Sequence, residues 1–490
     1  MAAAVQPVSD RGLLLGGDVV DGTDLRPVLN PADGTLVARY AAATSADVDR
    51  AVADAHERGR AWTLLHPDER ARILRRGAEA IREHVDEIAR VLTLEQGKPL
   101  PDSVKEILFG ASVFEYYAEE GRRVHGSLRP TASAGTMSMV SYHPVGVVAG
   151  IVPWNYPVDL YAWKVAPALA AGCPVVVKPP EEAPLAIGMV SRLLVDAGLP
   201  PGALADLPGG ADVGRRLAAH PDIALVTATC STATGKAIMR AAAEHLTRVS
   251  LELGGHCPLV VLPDADLELA ARAAARRSFS NMGQICIAVN RVIVLDGVAD
   301  AFVDALRSEV AAYVLGDPSV PGVGYGPCTT AQVVEKARSH VADAVARGAQ
   351  LVIGGSEPDG EQFAAGHYFL PTVLDHVPSD ALVMTEETFG PVLAVHRVST
   401  IGEAIAVANA TDYGLAAYVY GEDLGQALAV AEQIEAGGVG VNVNDVSELQ
   451  APFGGWKQSG LGRELGPEGL HAYLETRHTK VRRPAIAVDR

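Results

Sequence analysis

Hydrophobic positions recur at helical spacing over residues 67–96. Leu74, Ala78, Ile81, Val85, Ile88 and Leu92 follow in alternating steps of four and three, with charges on the other face. Pro67 and Asp68 supply a start signal and Gly97 a stop, so the spacing predicts one packing helix. Further along, short apolar runs alternate with helical patterns. Strands are expected over 145–152, 174–178 and 223–227, with helices over 162–171, 184–197 and from about Thr234. Such alternation predicts a parallel, doubly wound sheet with ligands at the carboxyl ends of its strands. A second α/β series runs from about 258 to 445, with strands over 258–262 and 291–295, which makes two α/β domains with a cleft between them. Residues 136–142 alternate apolar and polar and, with the tail 479–487, read as strand material outside both cores. That material is either a solvated arm or an oligomer contact.

Length and composition fit this picture. A chain of 490 residues exceeds one small core, and 48% hydrophobic with 20% charged residues is the composition of a globular protein. A net charge of −18 without a basic block argues against nucleic acid as a partner and against a membrane surface. The most apolar stretch, 145–177, is broken by Pro153, Asn155, Asp159 and Lys164, which suits a buried core better than a membrane span. The five cysteines, Cys173, Cys230, Cys257, Cys286 and Cys328, form no CxxC pair, so neither a disulfide framework nor a metal site is expected. The N-terminal Met1-Ala2-Ala3-Ala4-Val5-Gln6-Pro7 has no basic or long apolar segment of a secretory signal, and a cytoplasmic location follows.

Three strings carry candidate chemistry. Cys286 ends Asn281-Met282-Gly283-Gln284-Ile285-Cys286, Asn155 sits in Pro153-Trp154-Asn155-Tyr156-Pro157, and Glu252 in Leu251-Glu252-Leu253-Gly254-Gly255. A lone cysteine is usually a small buried hydrophobe, the reading kept for Cys173, Cys257 and Cys328. Cys286 differs in its company: Gly283 permits close backbone approach, and the residues before it are polar. To attack at neutral pH, its thiol needs a lowered pKa or a nearby base. Asn155 follows an apolar strand, where its amide can point into a cleft. Glu252 lies in an apolar string that would bury a carboxylate at a cost of several kcal/mol and raise its pKa, as suits a general base.

Together these strings resemble the aldehyde dehydrogenase superfamily over essentially the whole chain. Its motifs stand in order at 153–157, 177–181, 231–235, 251–255, 283–286, 387–391 (Glu-Thr-Phe-Gly-Pro) and 452–460. The resemblance implies a Rossmann-like dinucleotide-binding domain (1–121 with 144–251), an α/β catalytic domain (252–450) and a small β oligomerisation arm (122–143 with 468–490) of a homodimer or homotetramer. It implies NAD-dependent oxidation of an aldehyde to an acid through a Cys286 thiohemiacetal and thioester. The Asn155 side chain and the Cys286 backbone N–H would hold the oxyanion, and Glu252 would activate water. The presence of Glu252 favours hydrolysis over transfer of the acyl group to coenzyme A.

For the cofactor, the resemblance implies Lys178 and Glu181 at the adenosine ribose, with Glu181 favouring NAD although NADP is possible. Ser231 would meet the pyrophosphate at a helix N-terminus, and Glu387 the nicotinamide ribose, with Trp154, Leu253 and Phe389 nearby. Where the family reads Thr-Gly-Ser, this chain has Thr229-Cys230-Ser231, so Cys230 puts a side chain beside the dinucleotide and is expected to weaken its binding. The substrate tunnel is expected to include Tyr156, Asp159, Leu160 and Trp163. Relatives specific for succinic semialdehyde carry arginines where this chain has Trp163 and Ser280, which leaves a substrate carboxylate without an evident partner. Tyr156 and Trp163 suit an apolar or aromatic aldehyde, or a cationic one through cation–π contact. Asp159 with Glu119 or Glu120 would favour an aminoaldehyde. The alternatives are a semialdehyde or aminoaldehyde dehydrogenase using NADP, and a non-catalytic member of the family.

Overall fold

A computed structural model describes residues 8–133 and 135–482. The predicted helix over 67–96 is two helices, Pro67–Glu83 and Val85–Gln96. His84 breaks it, with φ −104° and ψ 14° and its ring Nδ1 2.9 Å from the Ala80 carbonyl oxygen. The apolar stripe continues across the break because both halves face the same core: Leu74, Ile81, Ile88 and Leu92 are completely buried. Gly97 ends the second helix in the left-handed region at φ 96°, the conformation a glycine adopts without a Cβ penalty.

Two large sheets organise the chain. The first has eight strands, and its centre is the parallel series Leu204–Asp206, Val175–Lys178, Val148–Ile151, Leu225–Thr229 and Arg248–Glu252. The second has seven strands, with Thr372–Asp375, Val392–Val398, Val289–Leu295, Cys257–Val261, Ala416–Tyr420 and Gly438–Val441 parallel in that order. Their residues read as near-continuous Val, Leu and Ala because helices cover both faces of each sheet. The expected helix at 162–171 begins earlier, at Pro157, where a proline's missing N–H costs nothing.

A third, three-stranded sheet stands apart from these two. Leu474–Arg482 pairs antiparallel with Thr136–Pro144, which in turn pairs with Ser127–Arg129. Residues 479–482 of the expected tail strand are in it; 483–487 lie outside the described residues, as does the N-terminal 1–7. Among the described residues no helix is long and apolar enough to cross a membrane, and no group of three His, Cys, Asp or Glu could hold a metal ion.

Candidate active site

Two loops place the nucleophile candidate and the amide. The strand Val148–Ile151 runs into Pro153–Pro157, and the helix that follows is capped from another element. Glu106, on the Leu100–Glu120 helix, accepts from the Val158 N–H at 2.8 Å and the Asp159 N–H at 3.4 Å, satisfying donors left open in a first helical turn. Lys98, fully buried and paired with Glu106, donates to the Asn155 carbonyl oxygen at 2.8 Å. Asn281 Nδ2 donates to the same oxygen at 2.9 Å. Asn155 Nδ2 donates to the Gln284 carbonyl oxygen at 3.0 Å, and its second N–H has no acceptor among the described residues.

Asn281, Met282 and Gly283 occupy the left-handed region in succession, at φ 49°, 54° and 73°. Such backbone costs on the order of 1–3 kcal/mol per non-glycine residue and persists where surroundings over-determine it. Gln96 donates to Asn281 Oδ1 at 2.9 Å, Gln284 donates to the Asn281 carbonyl at 2.9 Å, and the Thr329 N–H donates to Gln284 Oε1 at 2.9 Å. A Cβ at Gly283 would stand 2.3 Å from the Gly390 carbonyl oxygen, so only glycine fits. This turn delivers Cys286 to the surface of a cleft.

A cavity lies on each side of Cys286. The first, about 570 Å³, is lined by Trp154, Lys178, Glu181, Cys230, Ser231, Leu253, Glu387 and Phe389, all the residues expected around a dinucleotide. The second, about 290 Å³, is lined by Tyr156, Asp159, Leu160 and Trp163, all four expected of the substrate tunnel, with Phe109 and Phe453. Among the described residues, Asn155 and Cys286 alone line both. In the first cavity Ser231 caps the helix Thr232–Ala243 through the Thr234 N–H, which presents a helix N-terminus suited to a diphosphate. Glu387 accepts from the Gly255 N–H at 2.9 Å, and burial lifts its pKa to about 7. A Cβ on Gly254 would stand 2.6 Å from Glu387 Oε2, so the cradle depends on that glycine. Trp154 and Phe389 meet edge to face with centroids 5.5 Å apart. This donor set and cradle fit a dinucleotide.

The thiol of Cys286 is not pre-ionised. Burial, with the neighbouring Cys257, Glu252 and Glu387, pushes its pKa well up. Cys230 and Cys257 are likewise pushed up to about 12 by burial. Cys286 is therefore distinguished by its position between the cavities and not by acidity, and it needs a base to become a thiolate. Glu252, at the end of Arg248–Glu252, is 3% exposed, and neither of its oxygens has a hydrogen-bond partner among the described residues. Burial first, and then the charge of Glu464, holds its pKa well above the carboxylate range against Lys164 and Arg463. Lys164 itself donates to Glu464 at 2.8 Å and to Thr229 at 2.6 Å. Glu252 lines neither cavity; its Oε1 faces Gly454, 2.8 Å from where a Cβ would be.

Two expectations about the tunnel change. Glu119 and Glu120 do not reach it: Glu119 pairs with Arg75 and Arg122, and Glu120 with Arg123. They sit on the same helix as Glu106 but roughly 20 Å further along it. The acid beside Asp159 is Glu106, and burial with that neighbour holds the Asp159 carboxyl well above its usual range. Cations are present although Trp163 and Ser280 are not arginines. Lys105, Arg276 and Arg277 line the second cavity, with Arg277 held by Asp445 at 2.6 Å. Two acids next to basic residues, Asp102 and Asp445, share the same lining. No distinctive string surrounds Arg276, Arg277 or Lys105, so only their arrival at this wall marks them.

The sequence pattern of the aldehyde dehydrogenase family matches residues 20–479. The chain is 41% identical to the mitochondrial succinate-semialdehyde dehydrogenase of Arabidopsis thaliana, covering 95% of this chain and 88% of that one. It is 40% identical to the succinate-semialdehyde dehydrogenase (NADP(+)) of Escherichia coli K12, covering 95% and 96%. Among solved structures, a betaine aldehyde dehydrogenase from Staphylococcus aureus in complex with NAD+ superposes with a TM-score of 0.94 at 35% identity, covering 98% and 96%. With this likeness along nearly its whole length, the chain belongs to the aldehyde dehydrogenase family and is an oxidoreductase acting on an aldehyde.

Proposed function

We propose that the chain oxidises an aldehyde to a carboxylic acid with Cys286 as nucleophile, Asn155 as oxyanion donor and Glu252 as the hydrolytic base. The observation that carries this is the pair of cavities whose only common residues, among those described, are Asn155 and Cys286. An aldehyde entering by the second cavity meets Sγ of Cys286 at the border with the first. The thiol passes its proton to a water in the cleft, the sulfur lone pair bonds the carbonyl carbon, and the C=O π pair moves onto the oxygen as negative charge. The second Asn155 N–H and the Cys286 backbone N–H stabilise that charge. The first cavity holds a dinucleotide, with Lys178 and Glu181 at the adenosine ribose, Ser231 at the diphosphate and Glu387 at the nicotinamide ribose. The chemistry this group supplies is hydride acceptance, which leaves a thioester on Cys286. Glu252 then leaves Gly454, enters the cavity and takes a proton from water. The water oxygen displaces sulfur and frees the acid.

Glu181 favours NAD+, since its carboxylate suits two ribose hydroxyls better than a 2′-phosphate. The aromatic wall of Tyr156, Trp163, Phe109 and Phe453 suits an aldehyde with an apolar body. A semialdehyde is the second reading, favoured by Lys105, Arg276 and Arg277 in the same wall and by the substrates in the relatives' names. Residues 1–121 with 144–251 are assigned to cofactor binding and 252–450 to catalysis. The arm 122–143 with 468–490, whose described residues carry the separate sheet, is assigned to contact with further copies of the chain in a cytoplasmic dimer or tetramer. The test is an aldehyde panel with NAD+ and NADP+, read by absorbance of the reduced dinucleotide, with no coenzyme A present. Turnover with acid release is expected in the wild type, falling by about 10³-fold or more in Cys286→Ser. Undiminished turnover in Cys286→Ser would sink the proposal.

A further inference from the structure

A cation from the N-terminal hairpin pairs with Glu181, which lines the first cavity. Arg26 lies on Leu25–Leu29, and its Nη1 donates to Glu181 Oε1 at 2.8 Å. Tyr40, on the paired strand Leu36–Ala41, directs its hydroxyl to the same oxygen at 3.4 Å. Asp24 Oδ2 holds the guanidinium on another edge, from Nε at 3.1 Å and Nη2 at 3.0 Å. Glu181 Oε2 makes no hydrogen bond within the described residues. A Cβ built on Gly210 would stand 3.4 Å from that oxygen and 3.5 Å from Arg26 Nη1. Both charged groups therefore border one small space, in front of the helix Ala211–Ala218.

Glu181 by itself would repel a 2′-phosphate; Arg26, shared between Glu181 and Asp24, offsets part of that negative charge and sets a cation beside it. The Arg26 and Glu181 side chains are 40% and 43% exposed, and an ion pair so open to water contributes little net stability, so its partners exchange easily. Guanidinium presents a planar fork that matches phosphate oxygens with two hydrogen bonds at once. Lys178 is a poorer candidate for that role. It is nearly buried, its Nζ donates to the Pro179 carbonyl at 3.0 Å, and burial lowers its pKa.

We propose that Arg26 sets the breadth of cofactor use: it holds Glu181 when the ribose carries a free 2′-hydroxyl and turns to the 2′-phosphate when one is present. This rests on the assignment of Lys178 and Glu181 to the adenosine ribose. Arg26 is thus a specificity residue that competes with Glu181, and one site accepts both dinucleotides.

The test measures binding to the full chain by calorimetry, using 5′-AMP, 2′,5′-ADP, NAD+ and NADP+ with no aldehyde present. In Arg26→Ala, affinity for 2′,5′-ADP and NADP+ is expected to fall about tenfold or more, and that for 5′-AMP and NAD+ by less than about threefold. Arg26→Lys is expected to recover part of the loss, since it restores the charge without the fork. Equal weakening of all four ligands would reduce Arg26 to a structural role and overturn the proposal. A larger loss for NAD+ than for NADP+ would overturn it too, as would a wild type that binds 5′-AMP but not 2′,5′-ADP. A wild type that binds neither NAD+ nor 5′-AMP would take down the cofactor assignment itself.

Discussion

Glu106 and Glu252 are both nearly fully buried carboxylates, 2% and 3% exposed, and the fold surrounds them in opposite ways. Glu106 accepts from the Lys98 ammonium and from two backbone N–H groups at the start of the Pro157–Ala171 helix. Both of its oxygens accept hydrogen bonds and its counter-ion is in contact. Glu252 has no hydrogen-bond partner among the described residues and faces Glu464, a second acid. A buried charge with its donors supplied holds structure together; a buried carboxyl without them is kept available to take a proton. The same burial thus makes one acid a brace for Asn155 and leaves the other without donors, as the proposed base requires.

Substitutions test that contrast. The largest effect is expected at Glu252→Gln: kcat falls by about 10²–10⁴-fold, the acyl-enzyme builds up on Cys286 in mass spectra, and the unfolding temperature does not drop. A slow variant that accumulates no acyl-enzyme would remove Glu252 from the hydrolytic step. Lys98→Met should act the other way, leaving Glu106 buried without its cation and costing about 3–5 kcal/mol of stability in denaturant unfolding. A loss below about 1 kcal/mol would show that Glu106 is no brace. Glu464→Gln removes a negative charge that raises the Glu252 pKa. The base is active when deprotonated, so the acid limb of the kcat profile should move to lower pH. A limb that stays in place, or moves to higher pH, would contradict the coupling. Cys230→Gly is expected to have the smallest effect, a few-fold tighter binding of NAD+ in calorimetry, because Cys230 lines the first cavity, proposed for the dinucleotide. Equal dissociation constants would show that the extra side chain is harmless.

Much of this was legible along the chain. The parallel strands follow their apolar runs, with ends shifted by a few residues, as where 223–227 became Leu225–Thr229. Asn155, Glu252 and Cys286 stand out because each sits in an unusual contiguous string. The helix break at His84 was not legible, since the apolar stripe runs through it unchanged. Nor was the cationic part of the tunnel wall, because Arg276 and Arg277 sit in an ordinary amphipathic helix, Leu267–Phe279, whose pattern does not say which turn faces the cavity.

By itself the sequence determined which local conformations form and which reactive side chains sit at strand ends, because turns, caps and apolar periodicity act between near neighbours. Only the tertiary structure decided which distant groups share a space. Arg26 meets Glu181 across 155 residues and Lys164 meets Glu464 across 300. Such encounters depend on how sheets and helices pack, and packing sets distances, burial and hence proton affinity. Spacing along the chain carries none of that.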